Sequence, residues 1–304
     1  MPIRMNAPET FAARLAGADR PQIGMWVCSA SPIVAEVAAG SGVDWVLLDA
    51  EHSPNDLQSI LHQLYAMSAY PVSAVVRPPI GDTVLIKQYL DLGVQNLLVP
   101  MVDSAEQARE LVRAVRYPGP AGAGTAPAEH GARGVGASLA RSSRWNRIEG
   151  YLGRATGTVS LIVQIESAAA VANVEEILAV DGVDAIFIGP ADLAGSMGLL
   201  GQPSHPDVVA AALTAIRAAR AAGKPAGINA FVPEDADRYL AEGAAFAAVG
   251  ADVAILARAS EALADRFIGA HPASAAASGA AASATGADAA DATPPGSPAP
   301  RASY

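Results

Sequence analysis

The chain has 304 residues, 51% of them hydrophobic and 16% charged, enough apolar material for a large buried core. Its formal charge of −10 argues against a nucleic-acid partner, which would need clustered Lys and Arg. A single cysteine, Cys28, excludes an internal disulfide and a cysteine-held zinc, and reads as a small core hydrophobe.

Residues 1–20 lack the apolar core of a signal peptide, and no apolar run approaches the roughly 20 residues that span a bilayer. A soluble, cytoplasmic protein with no membrane partner is expected. Beyond residue 20, short apolar runs alternate with Ala- and Leu-rich stretches of helical period. Strands are predicted at 23–27, 45–48, 72–76, 96–99, 161–165, 185–188, 225–228 and 245–249. Helices are predicted near 32–39, 56–67, 83–92, 104–115, 168–179, 206–222, 233–241 and 252–268. Ser31-Pro32, Asp56, Ser104 and His205-Pro206 supply caps or first-turn prolines. Such alternation makes a parallel sheet, and eight units in about 250 residues predict an α/β fold, a (β/α)8 TIM barrel. A doubly wound sheet is the rival, with fewer strands.

Two segments interrupt the pattern. Residues 117–136 are rich in Gly, Pro and Ala and are predicted to form a mobile loop, a lid over the strand-end face. From 271 to 304 the chain is mostly Ala, Ser, Gly, Pro and Asp, too poor in large apolar groups to order itself. The expected organisation is a barrel over 1–270 and a disordered tail.

Chemically capable residues recur just past the strands, on the face where a barrel gathers its catalytic groups. Glu166 and Asp192 end adjacent strands. Two carboxylates so placed suit a divalent ion that keeps open positions, or else serve as helix caps or surface acids. His52 is a candidate general base or a loop histidine with one backbone bond. Arg77, ahead of Pro78-Pro79, offers a fork for a carboxylate or a developing oxyanion, or holds loops together. Asp44 and Asp184 precede their strands and belong on the opposite, structural face. There are only two lysines, Lys87 in a predicted surface helix and Lys224 before a strand. Neither suits a Schiff base, so carbonyl activation points to a metal. Gly134-Val135-Gly136-Ala137-Ser138-Leu139 is a weak glycine motif that misses the dinucleotide fingerprint.

Six stretches together resemble the HpcH/HpaI aldolase family. They are Asp44-Trp45-Val46-Leu47-Leu48-Asp49-Ala50-Glu51-His52-Ser53, Val76-Arg77-Pro78-Pro79, Gln95-Asn96-Leu97-Leu98-Val99-Pro100-Met101, Arg133-Gly134-Val135-Gly136, Gln164-Ile165-Glu166 and Gly189-Pro190-Ala191-Asp192-Leu193. The resemblance spans about residues 7 to 268 and is nearest to 4-hydroxy-2-oxoheptanedioate aldolases and 2-keto-3-deoxy acid aldolases. It implies a class II pyruvate aldolase on a barrel of the phosphoenolpyruvate/pyruvate type, a homo-oligomer (hexamer or trimer) with an exchanged C-terminal helix. By motif match, Glu166 and Asp192 would hold Mg2+, Mn2+ or Co2+. Gln164 and the backbone at Ala191 and Asp192 would contact the keto acid. His52 would be the base, Asp91 would raise its basicity, and Arg77 would stabilise the transition state. A lyase for malyl- or citramalyl-type CoA esters and a non-catalytic keto-acid-binding barrel are the alternatives. Residues 117–133 are about ten longer than in typical members, and the tail is extra.

Overall fold

The computed structural model describes residues 3–119 and 131–268, and all eight expected strands form within them. They are β1 (Gln22–Val27), β2 (Trp45–Asp49), β3 (Ser73–Arg77), β4 (Asn96–Val99), β5 (Ser160–Ile165), β6 (Ala185–Ile188), β7 (Ala226–Asn229) and β8 (Phe246–Ala251). Each pairs in parallel with its neighbours in chain order, and β8 closes on β1, giving the expected (β/α)8 barrel.

The helices are α1 (Phe11–Gly17), α2 (Pro32–Ala39), α3 (Leu57–Ala66), α4 (Thr83–Asp91), α5 (Ala105–Val115) and α6 (Tyr151–Arg154). They continue with α7 (Ala168–Ala172), α8 (Val174–Leu178), α9 (Pro190–Ser196), α10 (Pro206–Ala221), α11 (Pro233–Ala241) and α12 (Asp252–Ile268). Ser31, Asp56 and Ser104 cap their helices through side-chain oxygens, as expected. The single helix expected over 168–179 is instead α7 and α8. Asn173 breaks it, its side-chain amide donating to the Asp103 carbonyl at 2.8 Å. The short helices α1, α6 and α9 carry too little periodicity to be foreseen.

Among the described residues, those up to Asp252 belong to one compact unit and those from Val253 to Ile268 to another. Residues 120–130 of the expected lid, and the expected tail, lie outside the described residues. The far end of the lid segment is anchored, because Arg133 is buried and its backbone N–H donates to the Arg116 carbonyl at 3.0 Å. No helix among the described residues is long and apolar enough to cross a membrane.

The barrel is filled in layers. At its base, Phe11 from α1 meets Phe246 edge-on at 5.3 Å between ring centroids, and Trp45 and Phe187 complete the cluster. α1 plugs the opening, with its backbone N–H groups at Phe11 and Ala12 donating to Asn96 Oδ1 and Ser160 Oγ. Two strand glycines make room for these rings. A Cβ on Gly24 would lie 2.3 Å from the Trp45 indole, and one on Gly227 2.2 Å from the Phe246 ring. The base also holds Asp44 and Asp184, as their positions before the strands required. Each carboxylate accepts a backbone N–H from the preceding strand at 2.8 Å, from Ile23 and Leu161 respectively. Lys224 is at the base too, donating to the Val180 carbonyl.

Gly24→Ala is expected to destabilise the protein by about 1–3 kcal/mol, since the rings it meets are already packed. Gly157→Ala, which meets nothing within 4 Å, should change stability by less than about 0.5 kcal/mol. Paired urea-unfolding curves check both.

Candidate active site

With aromatic rings packed into the base, the polar groups that follow each strand gather at the opposite end. Side chains alternate along a strand, so Trp45, Leu47 and Asp49 of β2 all point into the barrel and the last is a carboxylate. Asp49 is buried, and Arg77 Nε at the end of β3 donates to its Oδ1 at 2.8 Å. The same carboxylate accepts the backbone N–H groups of Glu51 and His52, which folds the turn after β2. Its backbone carbonyl takes donors from Ser53 Oγ and Asn55.

Arg77 has a second acid. Its Nη1 lies 2.7 Å from Glu51 Oε2, an ion pair not aligned as a hydrogen bond. Its guanidinium also lies over the Trp26 indole of β1, 4.3 Å from the ring centroid. Trp26 in turn donates through Nε1 to Asn229 Oδ1 of β7 at 3.0 Å. Arg77 is therefore fixed from two sides and nearly buried.

Glu166 follows β5 and is buried. Met101 donates its backbone N–H to Glu166 Oε1 at 2.7 Å, from a left-handed conformation with φ 57°. Gln164 Nε2 donates to Glu166 Oε2, and Gln164 Oε1 is buried with no hydrogen-bond partner among the described residues. Gly189, after β6, packs against this pair so closely that a Cβ there would lie 2.7 Å from Glu166 Oε2. Asp192 follows on the first turn of α9, which has no side-chain cap, so the N–H groups of Ala191 and Asp192 are not taken by one.

Electrostatics make this corner short of positive charge. Burial pushes the Glu166 carboxyl up to about 7; Asp192 and Glu51 add to the rise, against the Met101 N–H and Arg77. Burial raises Glu51 as well; Asp49 and Asp192 also raise it, while Arg77 and His52 pull it down. Two oxygen-donor carboxylates, one of them unfavourable to ionise alone, fit a hard divalent cation. No cluster of three or more metal-ligating side chains occurs among the described residues. Two protein carboxylates leave the remaining positions to water and substrate oxygens.

Of the other expected residues, His52 stands at the same face, exposed, with Nε2 3.8 Å from Glu51 Oε1. Asp91 is different. At the end of α4 it pairs with the buried Arg133 at 3.2 Å, not with His52. Cys28 is half-buried, and burial pushes its thiol up to about 12, in keeping with an inert filler. Asp49, Glu51 and Gly189 stand in the runs noted past the strand ends but had no role assigned from sequence, and Trp26 was not singled out. The inward alternation ending in Asp49 was the available signal for one of them.

Residues 22–259 match the family model described as HpcH/HpaI aldolase/citrate lyase. The chain belongs to this family. It is 56% identical to the hydroxypyruvate/pyruvate aldolase of Deinococcus radiodurans, over 85% of this chain and 89% of that protein. It is 53% identical to a 4-hydroxy-2-oxo-heptane-1,7-dioate aldolase of Escherichia coli, over 82% of this chain and 92% of that one. Among solved structures, an HpcH/HpaI aldolase/citrate lyase family protein from Burkholderia cenocepacia superposes with a TM-score of 0.78 at 38% identity. That match covers 84% of this chain and 97% of that one. Family membership makes the chain an aldolase, a carbon–carbon lyase.

The raised Glu166 carboxyl sets a pH dependence. Between its ordinary value of 4.5 and about 7, the folded protein keeps a proton that the unfolded chain has lost. Metal-free protein should therefore lose stability as pH rises through that window. Melting curves with chelator are expected to show this fall, and Glu166→Gln to reduce it, the remainder belonging to the raised Glu51. Added Mg2+ or Mn2+ should raise the midpoint more at about pH 7.5 than at about pH 5, because proton and cation compete for one carboxylate.

Proposed function

We propose that this aldolase is a metal-dependent, class II enzyme that reversibly cleaves a 4-hydroxy-2-oxo acid to pyruvate, or a close relative of it, and an aldehyde. The observation that carries this reading is the buried Glu166 beside Asp192, at strand ends that hold no lysine. A divalent cation (Mg2+, Mn2+ or Co2+) on these two carboxylates would supply Lewis-acid stabilisation of charge on the keto oxygen.

The protein groups divide the remaining work. Gln164 and the backbone N–H groups at Ala191 and Asp192 orient the keto-acid end. His52 accepts the proton of the 4-hydroxyl as the C3–C4 bond breaks, and its electron pair passes to C3 and the C2 oxygen. Arg77, immobilised by Asp49, Glu51 and Trp26, offers its fixed positive charge to the developing enolate. A proton returned to C3 gives the keto acid, and the aldehyde departs. Because Asp91 pairs with Arg133 inside the chain, its action on the exposed His52 is proposed for an assembled homo-oligomer, across a subunit boundary.

A homo-oligomer also accounts for α12, whose Val253, Ile255, Leu256, Leu263, Phe267 and Ile268 are exposed.

Two outcomes are expected. Deuterium from solvent should enter the pyruvate methyl group when Mg2+ or Mn2+ is present and stop with chelator, with Glu166→Gln slower by at least about 100-fold. NMR reads this without any choice of aldehyde, and exchange indifferent to chelator removes the metal from the mechanism. Light scattering should report a homo-oligomer, and Leu256→Glu combined with Phe267→Glu should lower its mass; an unchanged mass excludes α12 from the interface.

A further inference from the structure

Asn229 ends β7 and points into the barrel, since it reaches Trp26 of β1 across the intervening β8. The indole N–H is a donor only, so the Asn229 oxygen must face it. That contact decides the orientation of the whole amide. The Nδ2 group is turned away, with two N–H donors and no partner among the described residues. Trp26 also lies under the Arg77 guanidinium, so its face meets Arg77 and its N–H edge meets Asn229, and the two contacts link β7 to the end of β3 through one indole.

An oriented amide donor at the mouth of the barrel is poorly matched to a methyl group. The methyl of pyruvate accepts no hydrogen bond, and burying the amide against it leaves a donor unsatisfied. A hydroxyl on C3 removes that conflict because its oxygen accepts from Nδ2–H. We propose that Asn229 sets the choice of nucleophile, its amide donating to the C3 hydroxyl of a 3-hydroxy-2-oxo acid such as hydroxypyruvate. This rests on the class II aldolase reading and adds to it the residue that selects between two keto acids. Asn229 is half-buried, so water satisfies part of its donor capacity when pyruvate is bound. The enzyme therefore uses both keto acids, with a bias towards the hydroxylated one rather than an absolute rejection of pyruvate.

The experiment follows loss of the C3 protons of pyruvate and of hydroxypyruvate into deuterated buffer, with Mn2+ removed before NMR or Mg2+ used throughout. It compares wild-type protein with Asn229→Leu and Asn229→Ala. The readout is the ratio of kcat/KM for the two keto acids, which cancels losses from partial misfolding. The expected result is a shift of that ratio towards pyruvate by about 3- to 10-fold in both variants, the worth of one hydrogen bond. Pyruvate exchange in each variant certifies that its metal site and barrel have formed. An unchanged ratio, whether both rates fall together or neither moves, would overturn the assignment. Wild-type protein that exchanges neither keto acid with metal present would instead remove the aldolase reading, and the assignment with it.

Discussion

Asp49, Glu51, Glu166 and Asp192 interact electrostatically around the single guanidinium of Arg77, and the rest of the site follows from that imbalance. Arg77 is engaged by Asp49 and Glu51, so it neutralises the β2 side of the face and leaves the β5–β6 side to itself. There Glu166 is buried beside Asp192, and without a cation it holds its proton to about pH 7. A divalent ion beside Asp192 would favour the ionised form of the Glu166 carboxyl against its burial. Arginine suits the opposite side because its planar group can face Asp49 through Nε, Glu51 through Nη1 and Trp26 through its face simultaneously. A lysine would offer one mobile point charge.

Local backbone geometry supports this arrangement. Met101 adopts a left-handed conformation, uncommon for a residue with a Cβ, and so brings its N–H to Glu166. Gly189 is required for a different reason: its lack of a side chain lets Glu166 and Gln164 lie against the chain entering α9. Removing that space would displace the carboxylate and the amide together. The orphaned Gln164 oxygen marks where the protein alone leaves hydrogen bonding unfinished.

Much of this was visible in the order of residue types along the chain. Apolar runs ending in Arg77, Glu166 and Asp192 identify strand ends because a parallel barrel turns every strand the same way. Asp44 and Asp184, on the other side of their runs, were separable as structural by the same reasoning. Contacts between distant strands were not visible. Trp26 and Asn229 are 203 residues apart, and neither residue type alone announces the bond. The partner of Asp91 was equally hidden, because Arg133 reaches it from the far end of the lid segment. The break at Asn173 escaped notice since its cause, the Asp103 carbonyl, belongs to another loop.

The base of the barrel uses one device twice. Gly42-Val43-Asp44 leads into β2 and Gly182-Val183-Asp184 into β6, with the glycines at φ 95° and 96° and each aspartate tied to the preceding strand. β2 and β6 are four strands apart in a ring of eight, so the two devices face one another across the axis. Left-handed glycines also precede β4 and β8, at Gly93 and Gly243, so what sets β2 and β6 apart is the aspartate. One half-barrel presents His52 and Arg77, the other Gln164, Glu166 and Asp192. The proposed reaction therefore draws its base and its fixed cation from one half and its metal-binding carboxylates from the other.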